Sequence, residues 1–183
     1  ADPKQGTAAA QKLCDAKVAG VAAHLNSGTT IPASSVYNQC GIPHVTPSAT
    51  NPKLTQQGYK TTFRMLANDN ALGAGLALHA ANNLKLKKIA IIDDRTAYGQ
   101  GVAEVFTATA KSKGIEIVDQ QYTTDKATDF MAILTAIKSK NPDGIFFGGN
   151  RPTWSNRTLR AIARTELGNA RQVAVIDFHT GLG

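Results

Sequence analysis

The chain is predicted to be an α/β protein of parallel sheets flanked by helices. Three observations predict this. Short apolar runs alternate with amphipathic segments of helical length along almost the whole chain. Most apolar runs end in hydroxyl, acidic or glycine residues rather than in two-residue hairpin signals. The hydrophobic fraction of 42% over 183 residues supports a packed core, in one domain or two small lobes.

Asp2 and Pro3 mark a helix start, and the spacing predicts a helix over 3–17. A buried strand over 18–25 follows. The turn Asn26, Ser27, Gly28, Thr29, Thr30 leads into a helix over 30–40, with Pro32 expected in its first turn, where a missing N–H matters least. Hydroxyls and free N–H groups at such a helix end suit an anion such as a carboxylate, or simple capping by Ser27 or Thr29. A short strand at 42–46 and a Thr-, Pro- and Asn-rich loop to Gly58 come next. A strand at 60–66 and a helix over 69–84 follow.

A regular series then begins: strand 88–93, helix 98–113 stopped by Gly114, strand 115–122, and helix 129–140 ended by Asn141 and Pro142. Strand 144–147 closes on Gly148 and Gly149, and a helix over 158–167 precedes a strand at 173–178. The loop at 47–58 and the change of rhythm near residue 66 suggest two lobes. In such sheets ligands lie beyond the C-terminal ends of the strands. Here those ends are 26–30, 46–50, 93–98, 148–150 and 177–180.

The net charge of +7 comes from scattered Lys and Arg, and aromatics make up only 6%, so a solvated surface is expected rather than a nucleic-acid face. No apolar run is long enough to span a bilayer as a helix. There is no Walker A pattern, no complete dinucleotide fingerprint, no nucleophile elbow and no histidine pair at metal spacing. Asp93 and Asp94 read as a turn feature. Cys14 and Cys40 are too few for a closed structural zinc site, and spacing leaves a disulfide and two free thiols both open. What remains suits reversible recognition of a small zwitterion, with no catalytic residues, no cofactor and no metal.

Residues 1–149 resemble the periplasmic binding proteins of branched-chain amino-acid ABC transporters. The resemblance is carried by ADPKQGTAAAQKL (1–13), GVAAHLNSGTTIPAS (20–34), GIPHVTPSATNPKLT (41–55), IAIIDDRTAYGQGVAEVF (89–106) and TTDKATDFMAILTAIKSKNPDGIFFGG (123–149). It implies two Rossmann-like lobes that close on Leu, Ile or Val in the periplasm and deliver it to a membrane permease. It implies that Ser27 contacts the ligand carboxylate, that Ser48 and Thr50 hold the ammonium and carboxylate, and that Tyr98 faces the ligand from the second lobe.

Against the family pattern, the first strands of the first lobe have no counterpart, so weakened binding and self-association through that lobe's open edge are expected. A disulfide found in one branch would join Ala1 and Asn26 and cannot form. Asn150 stands where family members often carry an aromatic or Met. Residues 150–183, ending in DFHTGLG, resemble part of an M14-type zinc carboxypeptidase, in which His179 would match one zinc ligand whose partners are absent. The expected organisation is a first-lobe remnant at 1–66, a second lobe at 67–149, and a foreign helix–strand tail at 150–183 that completes the second sheet.

Overall fold

A computed structural model describes residues 2–124, 126–149 and 174–176. The chain forms two compact units, Ala1–Ala71 and Leu72–Gly183.

The first unit opens with α1 (Pro3–Asp15). Asp2 caps it by accepting the Lys4 N–H at 2.9 Å, and Pro3 occupies the first turn. It continues through β1 (Val21–Ala22), α2 (Ser27–Cys40), β2 (His44–Thr46), α3 (Lys53–Gln56) and β3 (Thr62–Arg64). α4 (Asp69–Asn82) starts in this unit, and most of its residues belong to the next. The sheet order is β1-β2-β3, all parallel, with Val21, His44 and Thr62 in one row and Ala22, Val45 and Phe63 in the next.

Ala10 of α1 packs with Ala33 and Tyr37 of α2 and with Ile42, and Leu13, Val18, Val21 and Val36 close the cluster. Gly6 lets α1 lie close on α2: a Cβ there would lie 3.0 Å from the Thr29 Cβ and 3.1 Å from its carbonyl oxygen. A disulfide joins Cys14 to Cys40 across a Cα–Cα distance of 6.1 Å, which settles the alternative that spacing left open.

Three expectations need correction here. The strand expected over 18–25 is only Val21–Ala22. Beyond it the His24 carbonyl is taken by the Thr46 hydroxyl at 2.8 Å, so a side chain stands where a ladder bond would continue. The helix expected from residue 30 begins at Ser27, which places Pro32 in its second turn. Thr29 and Thr30 make the early start workable, because each donates its hydroxyl to the Asn26 carbonyl at 2.8 Å and reinforces the first turn. The loop expected over 47–58 contains the four-residue α3. α2 ends as its sequence predicts, with Gly41 at φ 73° returning its N–H to Asn38 and Tyr37.

The second unit contains β4 (Lys88–Asp93), α5 (Ala97–Ser112), β5 (Glu116–Tyr122), α6 (Met131–Ser139), β6 (Gly144–Gly148) and β7 (Ala174–Ile176). All strands are parallel in the order β5-β4-β6-β7, and Gly144, Ile145 and Phe146 pair with Ala174, Val175 and Ile176. The helix expected over 158–167 lies outside the described residues.

β4 is buried on both faces, as central parallel strands are. Ile89 and Ile91 pack with Leu76 and Ala77 of α4, Val102 and Phe106 of α5, and Phe146. Ala90 and Ile92 pack on the opposite side with Leu134 and Ile137 of α6 and with Ile145. Phe106 and Phe146 stack with centroids 3.9 Å apart.

Candidate ligand-binding site at the start of the second helix

In the first unit the end of β1, the first turn of α2 and the loop after β2 meet. Thr46 organises the meeting. Its hydroxyl donates to the His24 carbonyl at 2.8 Å and accepts the N–H groups of Ala49 at 2.9 Å and Ser48 at 3.3 Å. Asn51 then donates its N–H to the Ser27 hydroxyl at 3.2 Å, which fastens the loop to the helix start. From the far side Arg64 donates to the Asn51 carbonyl at 3.1 Å and to the Thr55 hydroxyl at 3.0 Å. The Asp69 N–H donates to the Thr50 carbonyl at 2.9 Å.

The hydroxyls at the helix start are not caps. Thr29 donates to a carbonyl, Ser27 accepts from the neighbouring loop, and the N-cap residue Asn26 makes no side-chain capping bond. The first turn of α2 also carries no acid. The partial positive charge of this helix end is therefore met by no side-chain anion on its own first turn, an arrangement suited to an external one.

Of the residues expected at a ligand, Ser27, Ser48 and Thr50 come together here. Ser27 and Thr50 are each 1% exposed and Ser48 is half-buried. Tyr98 belongs to the second unit, near the start of α5, and is buried in the cluster of Ile91, Val102 and Phe106. His179 lies outside the described residues. The acid pair behaves as a turn feature: Asp93 accepts the Arg95 N–H, and Asp94 accepts both the N–H and the hydroxyl of Thr96.

Sequence reasoning missed Asn51, Arg64 and Asp69, whose roles come from contacts far apart in the chain. Asp69 has a side chain that is 0% exposed, and neither of its carboxylate oxygens makes a well-formed hydrogen bond. Burial pushes its pKa up to about 6, while the nearby Thr50 hydroxyl and Arg64 guanidinium pull it down. The Thr50 hydroxyl thus bears on Asp69 without a bond of good geometry.

A second polar group underlies the same sheet. His24 Nε2 lies 2.9 Å from the Tyr37 hydroxyl, and the Tyr37 and His44 rings sit 5.0 Å apart. Burial lowers the pKa of both histidines, and for His44 the charge of His24 lowers it further. Among the described residues no cluster of three or more His, Cys, Asp or Glu side chains is placed to hold a metal ion, and no helix is long and apolar enough to cross a membrane.

Two parallel α/β units, with hydroxyls and an uncapped helix end gathered beyond the strands of one of them, have the arrangement in which open parallel sheets hold ligands. The sequence profile of the periplasmic binding protein family matches residues 1–173, and the chain belongs to that family. The match runs past Gly149, where the sequence resemblance was expected to stop. An amino acid binding protein of Pseudomonas aeruginosa is 38% identical over 152 residues, which is 82% of this chain and 41% of the relative. The Leu/Ile/Val-binding protein BraC3 of Rhizobium johnstonii is 38% identical over 151 residues, again 82% of this chain and 41% of the relative.

The structure of an ABC transporter substrate-binding protein from Desulfitobacterium hafniense in complex with Leu superposes with a TM-score of 0.73 at 29% identity, covering 96% of this chain and 51% of that one. The chain therefore spans about two fifths of the length of these curated relatives.

Proposed function

We propose that this chain carries the carboxylate-gripping part of a solute-binding protein that takes up a branched-chain aliphatic amino acid, Leu, Ile or Val, in the periplasm for a membrane ABC permease. One observation carries the reading: the uncapped start of α2, with the Ser27 hydroxyl held by the Asn51 N–H. Because that hydroxyl accepts from Asn51, its own hydrogen is left to donate to a ligand carboxylate. Relatives named for Leu/Ile/Val binding support the ligand class. In this reading Ser27 meets the carboxylate, and Ser48 and Thr50 meet the ammonium and carboxylate. The role is binding without bond breaking.

The chain spans about two fifths of its relatives, so we expect weaker binding than in a full-length protein. Calorimetry with leucine, isoleucine and valine tests this. Saturable binding that Ser27→Ala weakens by about 10–100-fold, as loss of one charge-assisted hydrogen bond of about 1.5–3 kcal/mol requires, supports the proposal. Binding unchanged in Ser27→Ala, or no heat with any of the three at millimolar ligand, refutes it.

A second reading, self-association, is favoured by the 54% exposure of Phe63 on the sheet of the first unit. Sedimentation that shows a monomer at every concentration excludes it. The carboxypeptidase-like reading of residues 150–183 would give His179 a zinc contact, and zinc analysis of the purified chain tests it.

A further inference from the structure

Asp69 touches the grip by three routes. Its N–H holds the Thr50 carbonyl at 2.9 Å. Its carboxyl group lies by the Thr50 hydroxyl, and both carboxyl oxygens and that hydroxyl are buried without a well-formed hydrogen bond. From β3 the positive charge of Arg64 acts on the same carboxyl, and its guanidinium holds the Asn51 carbonyl, while Asn51 in turn holds Ser27. No charged partner is hydrogen-bonded to Asp69, so its protonation state is decided locally by Thr50 and Arg64 against burial.

We propose that Asp69 is a positioning residue for the loop bearing Ser48 and Thr50, and that gaining or losing its proton resets that loop. The mechanism follows from the single hydrogen of the Thr50 hydroxyl. When Asp69 is ionised it can only accept, so the Thr50 hydrogen turns toward it and Arg64 is drawn in by charge. When Asp69 is protonated it donates to Thr50, whose hydrogen turns away, and Arg64 is held by Asn51 and Thr55 alone. Arg64 bonds the carbonyl of Asn51, so its shift reaches the Asn51 N–H and the Ser27 hydroxyl.

The functional meaning of this coupling rests on the proposed carboxylate grip. The coupling itself is tested without ligand, so the two fail separately.

The test is nuclear magnetic resonance of the isotopically labelled full chain, titrated from about pH 4.5 to about pH 8. The Asp69 carboxyl carbon and the Thr50 and Asn51 amides should titrate together with a midpoint near pH 6. Asp69→Asn should abolish that titration at Thr50 and Asn51, while shifts linked to His24 and His44 persist. Thr50→Val, which removes the hydroxyl that favours the ionised carboxylate, should raise the Asp69 midpoint. Should Asp69→Asn fail to fold, the wild-type titration and Thr50→Val still decide. Amides at Thr50 and Asn51 that stay still while the Asp69 carboxyl carbon titrates, or that titrate unchanged in Asp69→Asn, overturn the proposal.

Discussion

Reducing the Cys14–Cys40 disulfide should loosen the first unit and leave the second untouched. The bridge closes a loop with a sequence separation of 26. The chain-entropy relation for a loop of that length gives about 12 cal/mol/K, or about 3.5 kcal/mol at room temperature. That is a large share of the stability of a small unit, which for a whole domain is only about 5–15 kcal/mol. Cys40 is exposed, so a reductant reaches the bridge without prior unfolding. The helices it ties also pack through Ala10, Ala33 and Tyr37, so the unit should stay assembled but open more often.

The assay is amide hydrogen exchange read residue by residue, oxidised and reduced, with Cys14→Ala/Cys40→Ala as the reagent-free control. At about 1.4 kcal/mol per tenfold, slowly exchanging amides of α2 and β2 should lose about 300-fold in protection, while those of β4 and α5 should not change. A loss below about tenfold in the first unit, or an equal loss in both units, would refute the entropic argument and the division into two units on which it rests.

Thr46→Val keeps the side-chain shape but leaves the buried Ala49 N–H without its partner, and the Ser48 N–H likewise. A loss of about 2–3 kcal/mol in urea unfolding is expected, and a change below about 0.5 kcal/mol would show that Thr46 does not organise the loop. The folded-state pKa of Asp69 is raised from 3.8 to about 6, so the stability it contributes is full below the lower value and lost as pH rises through the upper. Asp69→Asn should therefore stabilise the first unit at pH 8 by at most about 3 kcal/mol, less about 0.3–1 kcal/mol for a charge removed from the start of α4, with no gain at acid pH. A variant less stable at pH 8 than the parent would contradict this.

His24 and His44 act in the opposite sense. Their folded-state values lie below 6.5, so their contribution is full above that pH and is lost as pH falls through the folded values. Replacing His44 by Phe should flatten the acid limb of the stability profile of the first unit, as followed by exchange. An unchanged limb would count against it.

Local pattern was enough for the second unit. β4 has four consecutive apolar residues whose alternate members face different helices, so the run itself shows a strand buried on both sides. The first unit was read less well because distant hydroxyls decide it. Nothing in the apolar run over 18–25 reveals that Thr46 will consume the His24 carbonyl and end the strand. The rule that favours proline in a first turn misplaced α2, because Thr29 and Thr30 support an earlier start. Ser27, Ser48 and Thr50 are ligand candidates through resemblance to a family. Asn51, Arg64 and Asp69 were not legible, since each works through a residue 13–24 positions away or through burial. The disulfide depends on a Cα–Cα distance that no spacing supplies.

The contact between Gly6 and Thr29 fixes how closely α1 can lie on the first turn of α2. A Cβ at position 6 would press on the Cβ, the Cα and the carbonyl oxygen of Thr29, and a residue other than glycine carries all three of these atoms there. Ala at position 6 gains about 1 kcal/mol of helix propensity and meets overpacking of about 1–3 kcal/mol. Shortening the side chain at position 29 leaves that clash in place, and only withdrawal of α1 from the first turn of α2 relieves it. Drift at position 6 of α1 is therefore held in check by the turn on which the proposed grip is built.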